Sequence, residues 1–160
     1  MTGLYIHIPF CRAKCGYCDF ASAPGTTEEI DVFLEALGRE ASAYTALAGK
    51  FSTLYVGGGT PSLLSTDQLE KLLSVISGLA GPLPALAEST FEANPESLDA
   101  EKAALLKKAG ISRISLGLQA SQDPLLRRLG RIAMSGDFLK AFAHWQRRNP
   151  GTLLRRQLLH

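Results

Sequence analysis

Cys11, Cys15 and Cys18 stand close together in the run His7-Ile8-Pro9-Phe10-Cys11-Arg12-Ala13-Lys14-Cys15-Gly16-Tyr17-Cys18-Asp19-Phe20, and they are the only cysteines in the 160-residue chain. An odd trio cannot close into disulfides without leaving one thiol over. Three thiolates on one short loop form a soft-ligand set instead. They are one ligand short of a closed tetrahedral zinc site or a fully ligated iron–sulfur cluster. A missing fourth ligand is a place where chemistry can enter. Two other readings stay open. Cys15-Gly16-Tyr17-Cys18 has the spacing of a thioredoxin-like redox pair, which leaves Cys11 unexplained. A structural zinc site would take His7 as its nearest fourth ligand, awkwardly placed on a strand so close to Cys11.

The elements around this loop alternate. Leu4 to Ile8 reads as a strand, and Thr26-Thr27-Glu28-Glu29 after the cysteines is a capping box opening a helix with Ile30, Phe33, Leu34 and Leu37 on one face. Phe51 to Val56 reads as a second strand, ended by Gly57-Gly58-Gly59-Thr60-Pro61, and Ser65 with Gln68 caps a second helix. Ser89 to Ala93 is a third strand, followed by a helix that Asp99 starts and Gly110 stops. Ser112 to Leu118 is a fourth, with short helical stretches around Asp123–Leu129 and Gly136–Trp145. Strand and helix alternating in this way predict a parallel sheet covered by helices.

Side-chain parity predicts a cavity. Leu4, Ile6 and Ile8 share one strand face while Tyr5 and His7 share the other; Phe91 and Ala93 oppose Thr90, Glu92 and Asn94; Ile114, Leu116 and Leu118 oppose Ser115, Gly117 and Gln119. A parallel strand buried on both faces is almost continuously apolar. Here one face suits the helices and the other carries polar groups, as in a lined cavity; an open sheet with one partly solvated face is the plainer alternative. The cysteine loop, the triple glycine, Glu92 and Gln119 all fall at carboxyl ends of successive strands, the edge where parallel α/β folds bind ligands. Glycines there can bring backbone N–H groups close to a carboxylate or ribose, or simply make a tight turn. Taken singly, Glu92 and Arg131 also read as surface charges, Gln119 as a core amide, and His144 and His160 lack ligand-like spacing.

Composition narrows the class. The net charge of +2 makes no case for nucleic acid or an anionic membrane, although His144 to His160 holds Arg147, Arg148, Arg155 and Arg156 and no acid. No apolar run is long enough to span a bilayer and no signal peptide precedes the first motif. Few cysteines without an export signal point to a reducing cytoplasm.

Cys11-x3-Cys15-x2-Cys18, with Tyr17 before the last cysteine, resembles the signature of the radical S-adenosylmethionine (radical SAM) superfamily. Tyr5-Ile6-His7-Ile8-Pro9-Phe10-Cys11, Gly57-Gly58-Gly59-Thr60-Pro61-Ser62, Phe91-Glu92-Ala93-Asn94-Pro95 and Ile114-Ser115-Leu116-Gly117-Leu118-Gln119 resemble the branch holding oxygen-independent coproporphyrinogen III oxidases and the related heme chaperones. The likeness runs from Tyr5 to about Phe142. It implies a [4Fe–4S] cluster held at three irons by Cys11, Cys15 and Cys18, with S-adenosylmethionine chelating the fourth. Reductive cleavage of that sulfonium to a 5′-deoxyadenosyl radical belongs to the cofactor. The family pattern puts Tyr5, Tyr17, Gly58, Gly59, Thr60, Glu92, Gln119 and Arg131 around S-adenosylmethionine.

Phe20 stands where the oxidases carry a further cysteine, and only ten residues precede Cys11, whereas the oxidases have a sizeable segment there. Both departures favour the heme chaperone branch. That branch implies heme or porphyrin as ligand, an electron donor, and a heme-acceptor protein, with cluster and S-adenosylmethionine in support rather than in turnover. The alternatives are the coproporphyrinogen oxidase itself and a non-catalytic zinc or redox module. The expected fold is α/β: a partial (β/α) barrel of the radical SAM type, truncated after about four β/α units. Residues 1–143 would form the amino-terminal part of that core, and 144–160 a basic, atypical tail from truncation or a frame-shift. The tail has no clean strand period, which predicts an exposed edge on the fourth strand, a half-open cavity and a chain inactive on its own.

Overall fold

The computed structural model describes residues 2–148 and 153–158. Its centre is a single parallel sheet whose strands lie in chain order. Strands β1 (Gly3–Ile8), β2 (Thr53–Gly58), β3 (Glu88–Ala93) and β4 (Arg113–Gln119) are those the apolar runs predict. Helix α1 (Thr27–Ala43) follows β1, α2 (Thr66–Ala80) follows β2 and α3 (Ala100–Ala109) follows β3. After β4 come α4 (Asp123–Arg128) and α5 (Ser135–Arg148), the latter running through the 143/144 boundary.

Local chemistry sets the helix limits. Thr26 with Glu29 and Ser65 with Gln68 both form complete capping boxes, each satisfying two otherwise orphaned N–H groups. Asp99 caps α3 through the Lys102 amide, and Gly110 closes it in the left-handed conformation.

The register puts Ile6, Val56, Phe91 and Ile114 side by side on one sheet face, against α2, α3 and α5. Leu72, Ile76, Leu106 and Trp145 on those helices are fully buried there. Each such aliphatic side chain contributes about 2 kcal/mol by leaving water. The same register aligns Tyr5, Tyr55 and Thr90, and further along the strands His7 with Gly57 and Glu92 with Ser115, on the opposite, polar face.

The tail departs from expectation. Leu153–Leu158 forms β5, parallel to β4 from Arg113↔Leu153 to Gln119↔Leu158, with an irregularity between Gly117 and Gln119. The edge of β4 is therefore paired, where the absent strand period predicts a bare one. Ladder pairing uses backbone N–H and C=O groups, which every residue of that segment carries, so side-chain alternation is a poor guide to an outermost strand. The sheet stays open, with β1 and β5 at its two ends.

Candidate functional site

The cysteine loop leaves β1 and is tied back to it. The Cys11 amide donates to the carbonyl of Ala23 at 3.1 Å and the Ala23 amide to that of Pro9 at 3.0 Å, so residues 11–23 close on themselves. Within the loop the Cys18 amide donates to the Cys15 carbonyl at 3.0 Å. His7 braces the loop from the polar sheet face, one ring nitrogen 2.8 Å from the Ala21 carbonyl and the other 2.9 Å from the Tyr5 hydroxyl. Both nitrogens are engaged, which removes His7 as the fourth ligand of a zinc site.

The glycine turn after β2 is where this loop docks. Gly59 donates to the Ile8 carbonyl at 2.8 Å and Thr60 to the Phe10 carbonyl at 2.7 Å. Gly58 has φ +115°, and a Cβ there would stand 2.7 Å from the Ile8 carbonyl oxygen. A Cβ on Gly59 would run into the Phe10 carbonyl and lie 2.9 Å from Cβ of Ser22. The glycines thus bring two backbones together. Their N–H groups, expected to be open to a carboxylate or ribose, already have protein acceptors.

Glu92, at the end of β3, faces this turn. It accepts from the Tyr55 hydroxyl at 2.5 Å and from the Gly58 amide at 3.2 Å. Asn94, two residues on, joins two sides of the site: its Nδ2 donates to Thr60 Oγ1 at 3.1 Å and its Oδ1 accepts from Arg131 at 3.1 Å. Arg131 is 9% exposed, also donates to the Gly117 carbonyl at 3.2 Å, and brings Nη1 to 4.0 Å from Sγ of Cys15. Burial pushes the Tyr17 hydroxyl up to about 12, partly offset by the Arg131 cation and reinforced by Cys15. Gln119 ends β4 with φ +66°, a left-handed backbone uncommon for a side-chain-bearing residue.

A cleft open to solvent, with an inner volume of about 90 Å³, gathers these groups: Cys11, Cys15, Cys18, Tyr17, Gly58, Gly59, Thr60, Glu92, Gln119 and Arg131 all line it. Tyr5 does not; the residue is 56% exposed and its ring lies 6.1 Å from that of Tyr55, on the sheet face leading to Glu92. Asn94, Lys14 and Phe20 line the cleft in addition, and Tyr55 stands behind Glu92. Of these, Asn94 had a legible signal, since it sits beside Glu92 at a strand end. The three thiols share one cleft without meeting at a point. Among the described residues no three His, Cys, Asp or Glu side chains are grouped to hold one metal ion.

An open parallel sheet with a tri-cysteine loop docked at its carboxyl edge defines a cofactor-binding α/β class of the partial-barrel kind. A family profile described as the radical SAM superfamily matches residues 5–154, and the chain belongs to that family. It is 41% identical over 144 residues to "Heme chaperone HemW" of Bacillus subtilis (strain 168), covering 89% of this chain and 38% of that protein. It is 42% identical over 132 residues to the protein of the same name from Escherichia coli (strain K12), covering 81% and 35%. The chain thus spans little more than a third of the length of these curated relatives. Among solved structures, Escherichia coli coproporphyrinogen III oxidase (HemN) superposes with a TM-score of 0.87 at 25% identity, over 98% of this chain and 36% of that one. The structure of anSMEcpe with bound AdoMet, at TM-score 0.65 and 15% identity over 99% and 43%, shows the shared fold alone.

The family carries a [4Fe–4S] cluster and S-adenosylmethionine, and the donors present fit them. All three thiols are free, and Cys15 and Cys18 are partly open to the cleft. Arg131 Nε is buried with no hydrogen-bond partner among the described residues, a spare donor on a residue that lines the cleft. No helix among the described residues is long and apolar enough to cross a membrane.

Proposed function

We propose that this chain is the cluster-bearing amino-terminal part of a heme chaperone of the HemW type. Its whole protein would bind a [4Fe–4S] cluster, S-adenosylmethionine and heme, and pass heme to an acceptor protein. The observation that carries the reading is Phe20, 60% exposed on the cleft wall two residues beyond Cys18. A phenyl ring there adds no thiolate and presents an apolar surface to a flat macrocycle. The relatives named as heme chaperones support it.

In this reading residues 1–143 supply the amino-terminal part of a radical SAM core, and 144–160 form a basic, atypical tail. Cys11, Cys15 and Cys18 hold three irons, and an electron donor supplies reducing equivalents to the cluster. Tyr17, Gly58, Gly59, Thr60, Glu92, Gln119 and Arg131 surround S-adenosylmethionine. Tyr5 belongs to the same set, from the sheet face beside Tyr55. Three reduced thiols suit a cytoplasmic setting.

Anaerobic reconstitution of the intact gene product tests the reading. About four irons per chain, visible charge-transfer absorption and saturable heme binding are expected, with no decarboxylation of coproporphyrinogen III. Decarboxylation would establish the oxidase, to whose structure the chain is also similar. Zinc without iron would establish the metal or redox module.

A further inference from the structure

We propose that Asn94 is a positioning residue of the cluster site, its side-chain amide holding the Arg131 guanidinium against Cys15. The proposal rests on the reading of Cys15 as a cluster ligand.

The amide has one workable orientation. A guanidinium only donates, so the atom facing Arg131 Nη2 at 3.1 Å is Oδ1. Nδ2 is left to donate to Thr60 Oγ1 at 3.1 Å. Asn94 thereby links the loop carrying Arg131 to the turn whose Thr60 amide holds the carbonyl of Phe10, next to Cys11.

The backbone of Asn94 is held just as firmly. Its amide donates to Ser62 Oγ at 3.0 Å, and its carbonyl accepts from the hydroxyl and the amide of Ser97, each at 3.1 Å. The two serine hydroxyls are 2.6 Å apart, and Lys102 Nζ donates to the carbonyls of both residues, at 2.9 and 3.2 Å. A polar network satisfied to this degree fixes one arrangement. Gly117 makes room for it, since a Cβ there would stand 3.1 Å from Oδ1 of Asn94.

The consequence falls on Cys15. Arg131 has its Nη2 engaged by Asn94 and Gly117 and its Nη1 turned toward the sulfur at 4.0 Å. A fixed cation and N–H donor beside a ligating thiolate favour the more negative, reduced state of a cluster and raise its reduction potential. Without the Asn94 acceptor Nη2 keeps only the Gly117 carbonyl, and the guanidinium is held less firmly against Cys15.

The test is a redox titration of the cluster, followed by electron paramagnetic resonance, in the anaerobically reconstituted full chain. Wild type, Asn94→Ala, Arg131→Met and the double variant are compared. A lower midpoint potential is expected in each single variant, with the double no lower than Arg131→Met alone. Asn94→Leu, of similar volume, replaces the alanine variant if that one fails to fold. An unchanged potential in the Asn94 variant overturns the proposal, as does a full additional drop in the double. Wild type that takes up no iron overturns the cluster reading, and this proposal with it.

Discussion

The amide of Thr60 donates to the carbonyl of Phe10 at 2.7 Å, so the residue before the first cysteine hangs from the glycine turn. The neighbouring bond from Gly59 to Ile8, at 2.8 Å, holds the end of β1 in the same way. Loop and turn are one unit, and the position of Cys11 depends on how closely β2 approaches.

Replacing Gly59 with alanine drives a methyl group into the Phe10 carbonyl, a rigid backbone atom. The expected loss is about 1–3 kcal/mol, typical of overpacking, with lower iron uptake per folded chain. Urea denaturation and iron analysis check both. A variant with wild-type stability and iron content would show that the loop can move aside at no cost.

Tyr55→Phe removes the hydroxyl that donates to Glu92 Oε1 at 2.5 Å. The site is partly buried and the acceptor is a carboxylate, so about 1–2 kcal/mol of stability is expected to go. The same change withdraws one of the groups that orient Glu92 into the cleft. Equilibrium unfolding of the variant beside wild type measures the first effect, and S-adenosylmethionine affinity by calorimetry reads the second.

Asp123 accepts from the Ser135 amide at 2.9 Å, and that backbone bond holds its carboxyl below its ordinary value of 3.8. A carboxyl depressed in the folded state adds stability that is present above the ordinary value and lost as pH falls through the folded one. Asp123→Asn should therefore melt below wild type at neutral pH. The gap should close on acidification below the ordinary carboxyl range. Thermal melts of both chains across that range test the sign; a gap that widens in acid would contradict it.

Ending the chain at Arg148 removes β5 and uncovers the β4 ladder from Arg113 to Gln119. The open edge at β5 then moves to β4, whose Ile114, Leu116 and Leu118 belong to the core, so the shortened protein is expected to aggregate more readily than the longer one. Size-exclusion chromatography with light scattering decides, and a monomeric shortened chain would mean that β5 protects nothing.

Much of this fold was readable residue by residue because its determinants are local. Thr26 with Glu29, Ser65 with Gln68, and Asp99 and Gly110 mark helix limits through bonds made within a turn of chain. Alternation along β1, β3 and β4 assigned one face to the helices and the other to polar groups. Residues at strand ends fell on one edge for the same reason, which is why so many of the expected site residues line one cleft. β5 escaped because backbone pairing needs no side-chain pattern. The roles of Gly58 and Gly59 were half legible: a need for absent side chains shows in the residue type, but not what approaches them.

The sequence by itself determined the elements, the edge where the chemistry collects and the thiols that define the family, because each depends on short-range spacing. Tertiary structure alone decided which side chains meet. Arg131 stands beside Cys15 through a contact spanning 116 positions, Asn94 bridges Thr60 and Arg131, and His7 serves as a brace. Such contacts follow from the register of parallel strands and the packing of loops at their ends, which no local spacing encodes.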